Sequence, residues 1–170
     1  MLHIRKNIGS RKGYCLTSEV RLPAPRDEVF KLFSDAFNLE RLTPPWLNFS
    51  VITTAPIHMQ VGTLIDYRLK IHGIPLNWQS RIGCWEPPIK FSDNQVRGPY
   101  RYWEHLHVFE DDGDGTICRD EVQYGIWGGS VIHSLFVKRD LTEIFTYRSQ
   151  VLHQIFAKNI ISMPTDLVSI

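Results

Sequence analysis

The stretch from residue 98 to residue 126, "GPYRYWEHLHVFEDDGDGTICRDEVQYGI", has the pattern of two strands joined by a turn. Its middle, "DDGDG" (111–115), is rich in glycine and aspartate, as hairpin loops are. Because side chains alternate across a strand, four residues of the first arm share one face: Trp103, His105, His107 and Phe109. The second arm carries Cys118, Asp120, Val122 and Tyr124 on one face. The hairpin therefore indicates an antiparallel sheet with polar groups among the aromatics of one face.

Other segments with strand or helix periodicity lie on both sides of this hairpin. Alternating patterns predict strands at 13–23, 62–71, 74–85 and 90–96. The stretches "APRDEVFKLFSD" (24–35) and "NLERL" (38–42) predict two short helices. In "DLTEIFTYRSQVLHQIFAKNI" (140–160), apolar residues recur every three or four positions, which predicts a long amphipathic helix.

The order of these elements predicts an α+β fold. We expect a curved antiparallel sheet of about six or seven strands, wrapped around the long C-terminal helix, with two short helices after the first strand. The helix is the natural cover for the apolar face of the sheet. We expect a flexible basic arm at residues 1–12, one domain at residues 13–160, and a C-terminal tail at residues 161–170.

Composition narrows the class of protein. The formal net charge of +1 offers no field that would attract nucleic acid. No apolar run approaches the roughly 18 residues of a membrane span, and the N-terminus lacks a secretory pattern. The three cysteines are widely spaced and contain no CxxC pair, which favours reduced thiols and a cytoplasmic location.

The predicted inner face of the sheet is unusually polar. The alternation of side chains along the strands places seven polar residues on this face: Ser18, Ser80, Asp93, Gln95, His105, His107 and Asp120. Buried polar groups cost free energy unless they are hydrogen-bonded. Symmetric closure of the hairpin would place His105 opposite Asp120, whereas a slip of two residues would place His107 there. Either pairing brings a carboxylate within reach of an imidazole.

Three interpretations of this polar face remain open. The histidines with Asp93 or Asp120 could ligate zinc or iron, although two-residue histidine spacing is a weak signal, so we predict no metal site. Alternatively, His105 or His107 could act in acid–base catalysis with Asp120. The interpretation that we favour is a ligand pocket, whose predicted lining is Tyr67, Trp78, Asp93, Gln95, Trp103, His105, His107, Phe109, Asp120, Tyr124, Phe145 and Arg148.

The chain resembles the START-like superfamily, also called SRPBCC or helix-grip proteins. The resemblance covers residues 13 to 158 and is carried by the element order and by "NLERLTPPWLNF" (38–49), "GIPLNWQS" (73–80), "GPYRYWEHLHVFE" (98–110) and "IFTYR" (144–148). These stretches look like the bacterial ligand-binding branch, which is similar to polyketide cyclases and dehydratases. The resemblance implies a cavity between sheet and C-terminal helix that holds a hydrophobic or amphipathic small molecule. No catalytic motif of the cyclases maps onto these residues.

The leading functional hypothesis is a carrier or sensor of such a molecule. The first alternative is a cyclase- or dehydratase-like enzyme with a pocket His–Asp pair. The second is a lipid or quinone chaperone, or an interaction module, for which the basic N-terminal residues are the support. We expect a hydrophobic small-molecule ligand, no cofactor, no nucleic-acid partner and no stable membrane insertion. The sequence does not predict the oligomeric state.

Overall fold

The structure is a computed structural model that describes residues 1–7 and 11–161. Eight strands form one sheet: β1 (Leu2–Lys6), β2 (Tyr14–Leu22), β3 (Ser50–Val51), β4 (Leu64–Ile71), β5 (Ile74–Glu86), β6 (Lys90–Arg97), β7 (Tyr102–Asp112) and β8 (Gly115–Gly125). The four α-helices are α1 (Arg26–Ser34), α2 (Leu39–Leu42), α3 (Gly129–Ile132) and α4 (Lys138–Ile161). Short 3-10 turns span Ala36–Asn38 and Pro45–Leu47, and a π-helical turn, His133–Val137, joins α3 to α4.

The sheet is antiparallel throughout, in the order β1-β2-β8-β7-β6-β5-β4-β3. Strands β4 to β8 form a meander, and β2 returns to pair with β8 along its full length, from Tyr14 opposite Tyr124 to Leu22 opposite Thr116. Register shifts in β5 at Gln79/Ser80 and Ile82/Cys84 mark bulges, which bend a strand and help a sheet to curve. This arrangement confirms the predicted helix-grip fold, with one long C-terminal helix and short helices after the first long strand.

The N-terminal segment differs from the expected arm. Residues Leu2–Lys6 form the edge strand β1, and Ile4 lies opposite Leu16 of β2. The alternation of Leu2 and Ile4 with His3 and Arg5 was the available signal, but the basic residues around it suggested a solvated terminus. Residues Leu2–Lys6 are therefore part of the sheet, and the expectation of a flexible arm is wrong for them. The predicted tail, apart from Ile161, lies outside the described residues.

Two aromatic clusters lie at the two ends of β7 on the inner face of the sheet. The first lies between α1, the sheet and the C-terminal half of α4, and includes Phe30, Phe91, Phe109 and Phe156. The second lies near the start of α4 and includes Tyr14, Trp103, Tyr124, Leu141 and Phe145. Strand β7 contributes Trp103 to one cluster and Phe109 to the other. The two intervening inward positions on that strand, 105 and 107, therefore lie between the clusters.

Among the residues that the structure describes, no helix is both long enough and apolar enough to cross a membrane.

Candidate ligand-binding site

The register of the central hairpin decides which side chains meet. Strands β7 and β8 pair with His107 opposite Asp120 and His105 opposite Val122. This is the slipped pairing rather than the symmetric one. The reason is local: Asp112 pairs with Gly115, so the loop is Gly113–Asp114, and Gly113 adopts a positive φ of 66° that glycine tolerates without strain.

Asp120 contacts both histidines. Its Oδ1 hydrogen-bonds His105 Nε2 at 2.9 Å and lies 2.8 Å from His107 Nδ1. The second contact lacks the alignment of a hydrogen bond, since His107 Nδ1 has no hydrogen-bond partner among the described residues, so we treat it as an electrostatic contact. One buried carboxylate thus holds the rings of two histidines.

Asp93, on β6, lies on the other side of the same rings. Its Oδ2 is 3.3 Å from His107 Nε2 and 3.6 Å from His105 Nδ1. The neighbouring strand supports it, because Ser80 Oγ donates to Asp93 Oδ1 at 3.4 Å. Trp78 Nε1 donates in turn to Ser80 Oγ at 3.0 Å. Each histidine therefore has one nitrogen near Asp120 and the other near Asp93; we call these four residues, Asp93, His105, His107 and Asp120, the His–Asp cluster.

Aromatic rings enclose the His–Asp cluster. The ring of His107 stacks on Phe91, with centroids 4.3 Å apart, and meets the edge of Phe33. The ring of His105 lies near Trp103 and Phe145. Both histidines and Asp120 are buried. With water excluded, the charges of the cluster act on one another more strongly than they would at the surface.

The pKa values in the cluster shift in opposite directions. Burial alone would raise the pKa of Asp120, but hydrogen bonds and charges from both histidines outweigh it and lower that pKa. Burial would likewise raise the pKa of Asp93, but a hydrogen bond from His107 and the charges of both histidines and Arg148 lower it. Burial and the neighbouring His107 lower the pKa of His105, whereas the two carboxylates overcome burial and raise the pKa of His107. Of the two histidines, His107 therefore binds a proton more readily than His105 does.

Arg148 reaches the site from α4. Its guanidinium carbon lies 4.9 Å from the centroid of the Phe145 ring. Its Nε is buried without a hydrogen-bond partner among the described residues. Arg148 is therefore a cation inside the domain with donor capacity left for an acceptor group.

A cavity of about 140 Å³ lies between the sheet, α4 and the segment around α2. Eight of the predicted pocket residues line it: Tyr67, Trp78, Asp93, Trp103, His105, His107, Phe145 and Arg148. The structure adds lining residues that the sequence analysis did not select: Leu39, Thr43, Leu47, Phe49, Leu69, Ile71, Ser80, Tyr100, Leu141 and Ile144. Strand parity already predicted an inward position for Ser80. The stretch 39–49 carried no comparable signal, because irregular turns have no fixed period.

Four predicted pocket residues do not line this cavity. Gln95 hydrogen-bonds the carbonyl of Tyr100 at 2.8 Å. Phe109 packs within the first aromatic cluster, and Tyr124 hydrogen-bonds His133 Nε2 through its hydroxyl at 2.9 Å. Asp120 lies behind the histidines and reaches the cavity only through them. Strand parity predicts the face of a side chain but not the contacts that it makes on that face.

The cavity wall also holds a set of metal-ligating groups. One atom each of Asp93, His105 and His107 lies within 4.8 Å of the others. Together the site offers an apolar wall, a polar cluster that can exchange hydrogen bonds with a ligand, and donors of the kind that bind transition metals.

Solved structures share this fold across nearly the whole chain. The protein Ms6760 from Mycobacterium smegmatis is 13% identical, with a TM-score of 0.67 over 94% of this chain and 99% of that one. TTHA0849 from Thermus thermophilus is 19% identical, with a TM-score of 0.63 over 85% and 98%. A START superfamily protein from Mycobacterium smegmatis is 11% identical, with a TM-score of 0.64 over 85% and 98%. At these identities the likeness shows the fold alone.

None of the curated proteins matches the chain. The family model for polyketide cyclase / dehydrase and lipid transport matches residues 22–159. That match covers most of the chain, including strands β3 to β8, the short helices and most of α4. The chain therefore belongs to the polyketide cyclase / dehydrase and lipid transport family and has its START-like, helix-grip fold.

Proposed function

We propose that the chain binds a small hydrophobic molecule that carries a polar group, as a carrier or a sensor. One observation carries the proposal: the cavity between sheet and α4 has a mainly apolar wall, and its polar lining groups contact one another. Asp93, His107 and Ser80 are linked by hydrogen bonds, while Trp78, Trp103 and Phe145 supply aromatic wall. Such a wall orients a ligand, because its polar end has partners at only one place.

The size of the cavity limits the ligand. A cavity of about 150 Å³ accepts a single benzene-sized molecule, and sites for drug-sized ligands span roughly 300–1,000 Å³. At about 140 Å³, the present cavity suits one ring or a short chain. A larger ligand would require α2 or α4 to move away from the sheet.

Native mass spectrometry of the purified protein, followed by mass analysis of the molecules released on denaturation, tests this proposal. Ile144→Trp would fill the cavity from α4, because Ile144 lines it and is half-buried. Gln154→Trp on the exposed side of α4 is the matched control. We expect a released small molecule from the unchanged protein and the control and at least about tenfold less from Ile144→Trp. Equal amounts from both variants would place the ligand elsewhere.

A second candidate function is acid–base catalysis on the bound molecule. The observation that favours it is that His105 faces the cavity while Asp120 holds its Nε2 at 2.9 Å. A carboxylate in that position fixes the tautomer of an imidazole and stabilises its charged form. Incubating the released molecule with the protein and with His105→Gln tests it: turnover that falls about 100-fold or more in the variant supports catalysis. Unchanged turnover excludes acid–base catalysis by His105.

The cytoplasmic location of the protein stays a prediction.

A further inference from the structure

Three ligand atoms converge at the edge of the cavity. They are Asp93 Oδ2, His105 Nδ1 and His107 Nε2, contributed by β6 and β7, which pair with Asp93 opposite His105. All three residues line the cavity. We infer that these residues bind one divalent transition-metal ion, of the zinc or iron type, with an open coordination position that faces the cavity.

The spacing of these atoms suits a metal ion. Zinc binds imidazole nitrogens and carboxylate oxygens at roughly 2.0–2.2 Å, so two ligands of a tetrahedral site are about 3.3–3.6 Å apart. The Asp93 oxygen lies 3.3 Å from His107 Nε2 and 3.6 Å from His105 Nδ1. These separations match two edges of such a site, and the third, between the two ring nitrogens, is within 4.8 Å.

Asp120 supplies the second, independent observation. A histidine that binds a metal usually donates its other ring N–H to a carboxylate, which fixes the tautomer and the ring orientation. Here Asp120 Oδ1 takes that place for His105, at 2.9 Å from Nε2, and makes an electrostatic contact with His107 Nδ1 at 2.8 Å. With its ring proton on Nε2, His105 directs the lone pair of Nδ1 toward Asp93 Oδ2. A metal ion would displace the proton that His107 Nε2 shares with Asp93. Two ring nitrogens and one carboxylate oxygen then face one another at the edge of the cavity, where a cation can bridge them.

The carboxylate ligand is also held in place. Ser80 Oγ donates to the Asp93 oxygen that does not face the histidines, at 3.4 Å, and Trp78 Nε1 donates to Ser80. These two hydrogen bonds hold Asp93 so that its Oδ2 faces the two histidine rings. Supported ligands of this kind bind more tightly than unsupported ones, because their orientation is fixed before the ion arrives.

Charge favours the same occupant. With neutral imidazoles, the site holds two carboxylates, and Arg148 offsets only one of them. An uncompensated buried negative charge is costly, so the site gains by taking up a cation. The donor set of two imidazoles and one carboxylate is typical of zinc and non-haem iron rather than of magnesium or calcium, which prefer oxygen ligands. The rival occupant is a proton on His107.

The site resembles a reactive metal centre more than a structural one. Structural zinc is enclosed by four protein ligands, whereas sites with three protein ligands keep a position for water or substrate. In this protein that position would be in the cavity, beside Trp103 and Phe145. The polar group of a bound molecule could therefore coordinate the ion directly. This inference does not depend on the identity of the cavity ligand.

The test is metal binding by the full chain without an affinity tag, after treatment with a chelator. Titration with Co²⁺ and Zn²⁺, followed by calorimetry, visible absorption and elemental analysis of the desalted protein, gives stoichiometry and affinity. We expect one ion per chain, a Co²⁺ spectrum without thiolate charge-transfer bands, and an increase in Tm that the chelator reverses. Less than about 0.2 equivalents at micromolar metal would overturn the inference and leave the proton as the occupant.

Variants distinguish this site from adventitious binding. His107→Gln and Asp93→Asn should each lower Co²⁺ affinity by at least about 100-fold, and Asp120→Asn by about 10- to 100-fold. His72→Gln is the matched control, since His72 pairs with Asp140 at the surface, and it should leave the affinity unchanged. Circular dichroism shows whether each variant is folded. Wild-type affinity in a folded His107→Gln protein would also overturn the inference, whereas loss of metal binding with retained cavity ligand would leave the proposed function standing.

Discussion

At the scale of single residues, the unusual feature is a polar layer between two aromatic clusters. Along β7 the inward side chains are Trp103, His105, His107 and Phe109. The outer two belong to the aromatic clusters, while the two histidines are held by carboxylates on neighbouring strands. A purely apolar layer would pack as well, so the cost of burying these charges points to a role beyond stability.

Asp120→Asn tests how strongly this layer depends on its buried carboxylate. The substitution removes the counter-charge that both histidines share, and breaking a buried ion pair typically costs about 3–5 kcal/mol. We expect a decrease of that size in the free energy of unfolding, measured by urea denaturation at pH 7.5. Asp114→Asn is the control, because Asp114 pairs with Arg21 at the surface and should have no measurable effect. Equal stability of the two variants would contradict a coupled cluster.

His133, which lies outside the His–Asp cluster, predicts that the free energy of unfolding depends on pH. Its ring stacks on Tyr14 and hydrogen-bonds Tyr124, and burial, with the charges of Lys138 and Lys6, lowers its pKa. His133 therefore binds a proton more readily in the unfolded chain than in the folded one. The stability that neutral His133 contributes to the fold is lost as the pH drops below about 6.5. We expect wild type to exceed His133→Gln in unfolding free energy at pH 8 and the gap to narrow by pH 5. A gap that widens toward pH 5 would contradict this assignment.

The sequence predicts the faces of these residues but not their partners. Alternation alone places His105, His107, Asp93 and Asp120 inward, and the structure agrees. Which carboxylate meets which nitrogen depends on two strand registers, and "DDGDG" offers several turn positions. The positive φ of Gly113 settles one register. The other depends on β6 against β7, where the chain between Arg97 and Tyr102 has no turn pattern that fixes the alignment.

At the scale of elements, β1 is the strand that the sequence pattern did not predict. Arg5 lies opposite Cys15 of β2, and Cys15 is buried. Burial, reinforced by Glu121, raises the pKa of this thiol. Without β1, β2 would be the edge strand on that side of the sheet. The five residues of β1 therefore cover the outer edge of β2.

Deletion of residues 1–7 should therefore expose Cys15. A thiol reacts as its thiolate, and it reacts faster when it is accessible. We expect labelling of Cys15 by a thiol reagent to rise by about tenfold or more in the truncated protein, as measured by peptide mass spectrometry. Cys84 is half-buried and Cys118 is buried elsewhere, so they serve as internal controls with little change. Equal acceleration at Cys118 would indicate general unfolding instead.

Helix α4 was the element most fully predicted. Its three- and four-residue period extends over 140–160, and the structure gives Lys138–Ile161. The π-helical turn His133–Val137 before it has no such period. Apolar residues in and beside this turn, including Val131 and Leu135, are exposed, so no apolar period marks a buried face there. Long amphipathic helices are therefore easier to predict than short, partly exposed ones.

Leu152→Ala measures what α4 contributes to the core. Leu152 is 1% exposed and packs in the first aromatic cluster. Truncating a buried leucine costs about 2–5 kcal/mol, because the removed atoms lose contacts and leave a void. We expect a loss of that size in urea denaturation, against little change for Gln154→Ala on the exposed side of the same helix. A loss close to zero for Leu152→Ala would mean that α4 is loosely attached to the sheet.

At the scale of the whole molecule, the cavity exists only where three parts of the chain meet. The sheet provides Trp78 and Trp103, the stretch around α2 provides Leu39 and Leu47, and α4 provides Phe145. The fold and the presence of a cavity followed from the sequence and its resemblance. Its volume did not, because it depends on the distance between α4 and the sheet, which no local pattern encodes.

A series of ligands of increasing length tests that volume. We choose phenylalkanoic acids, in which a single ring carries a carboxylate on chains of one to eleven methylenes. A cavity of about 140 Å³ has room for about one ring, so the increase in Tm at equal free concentration should peak at the short acids and then decline. The acid group can accept from the unpartnered Arg148, so Arg148→Met should reduce the increase for every member. Stabilisation that keeps growing to eleven methylenes would show instead that α4 and α2 open, since each buried methylene adds about 0.8 kcal/mol only where space exists.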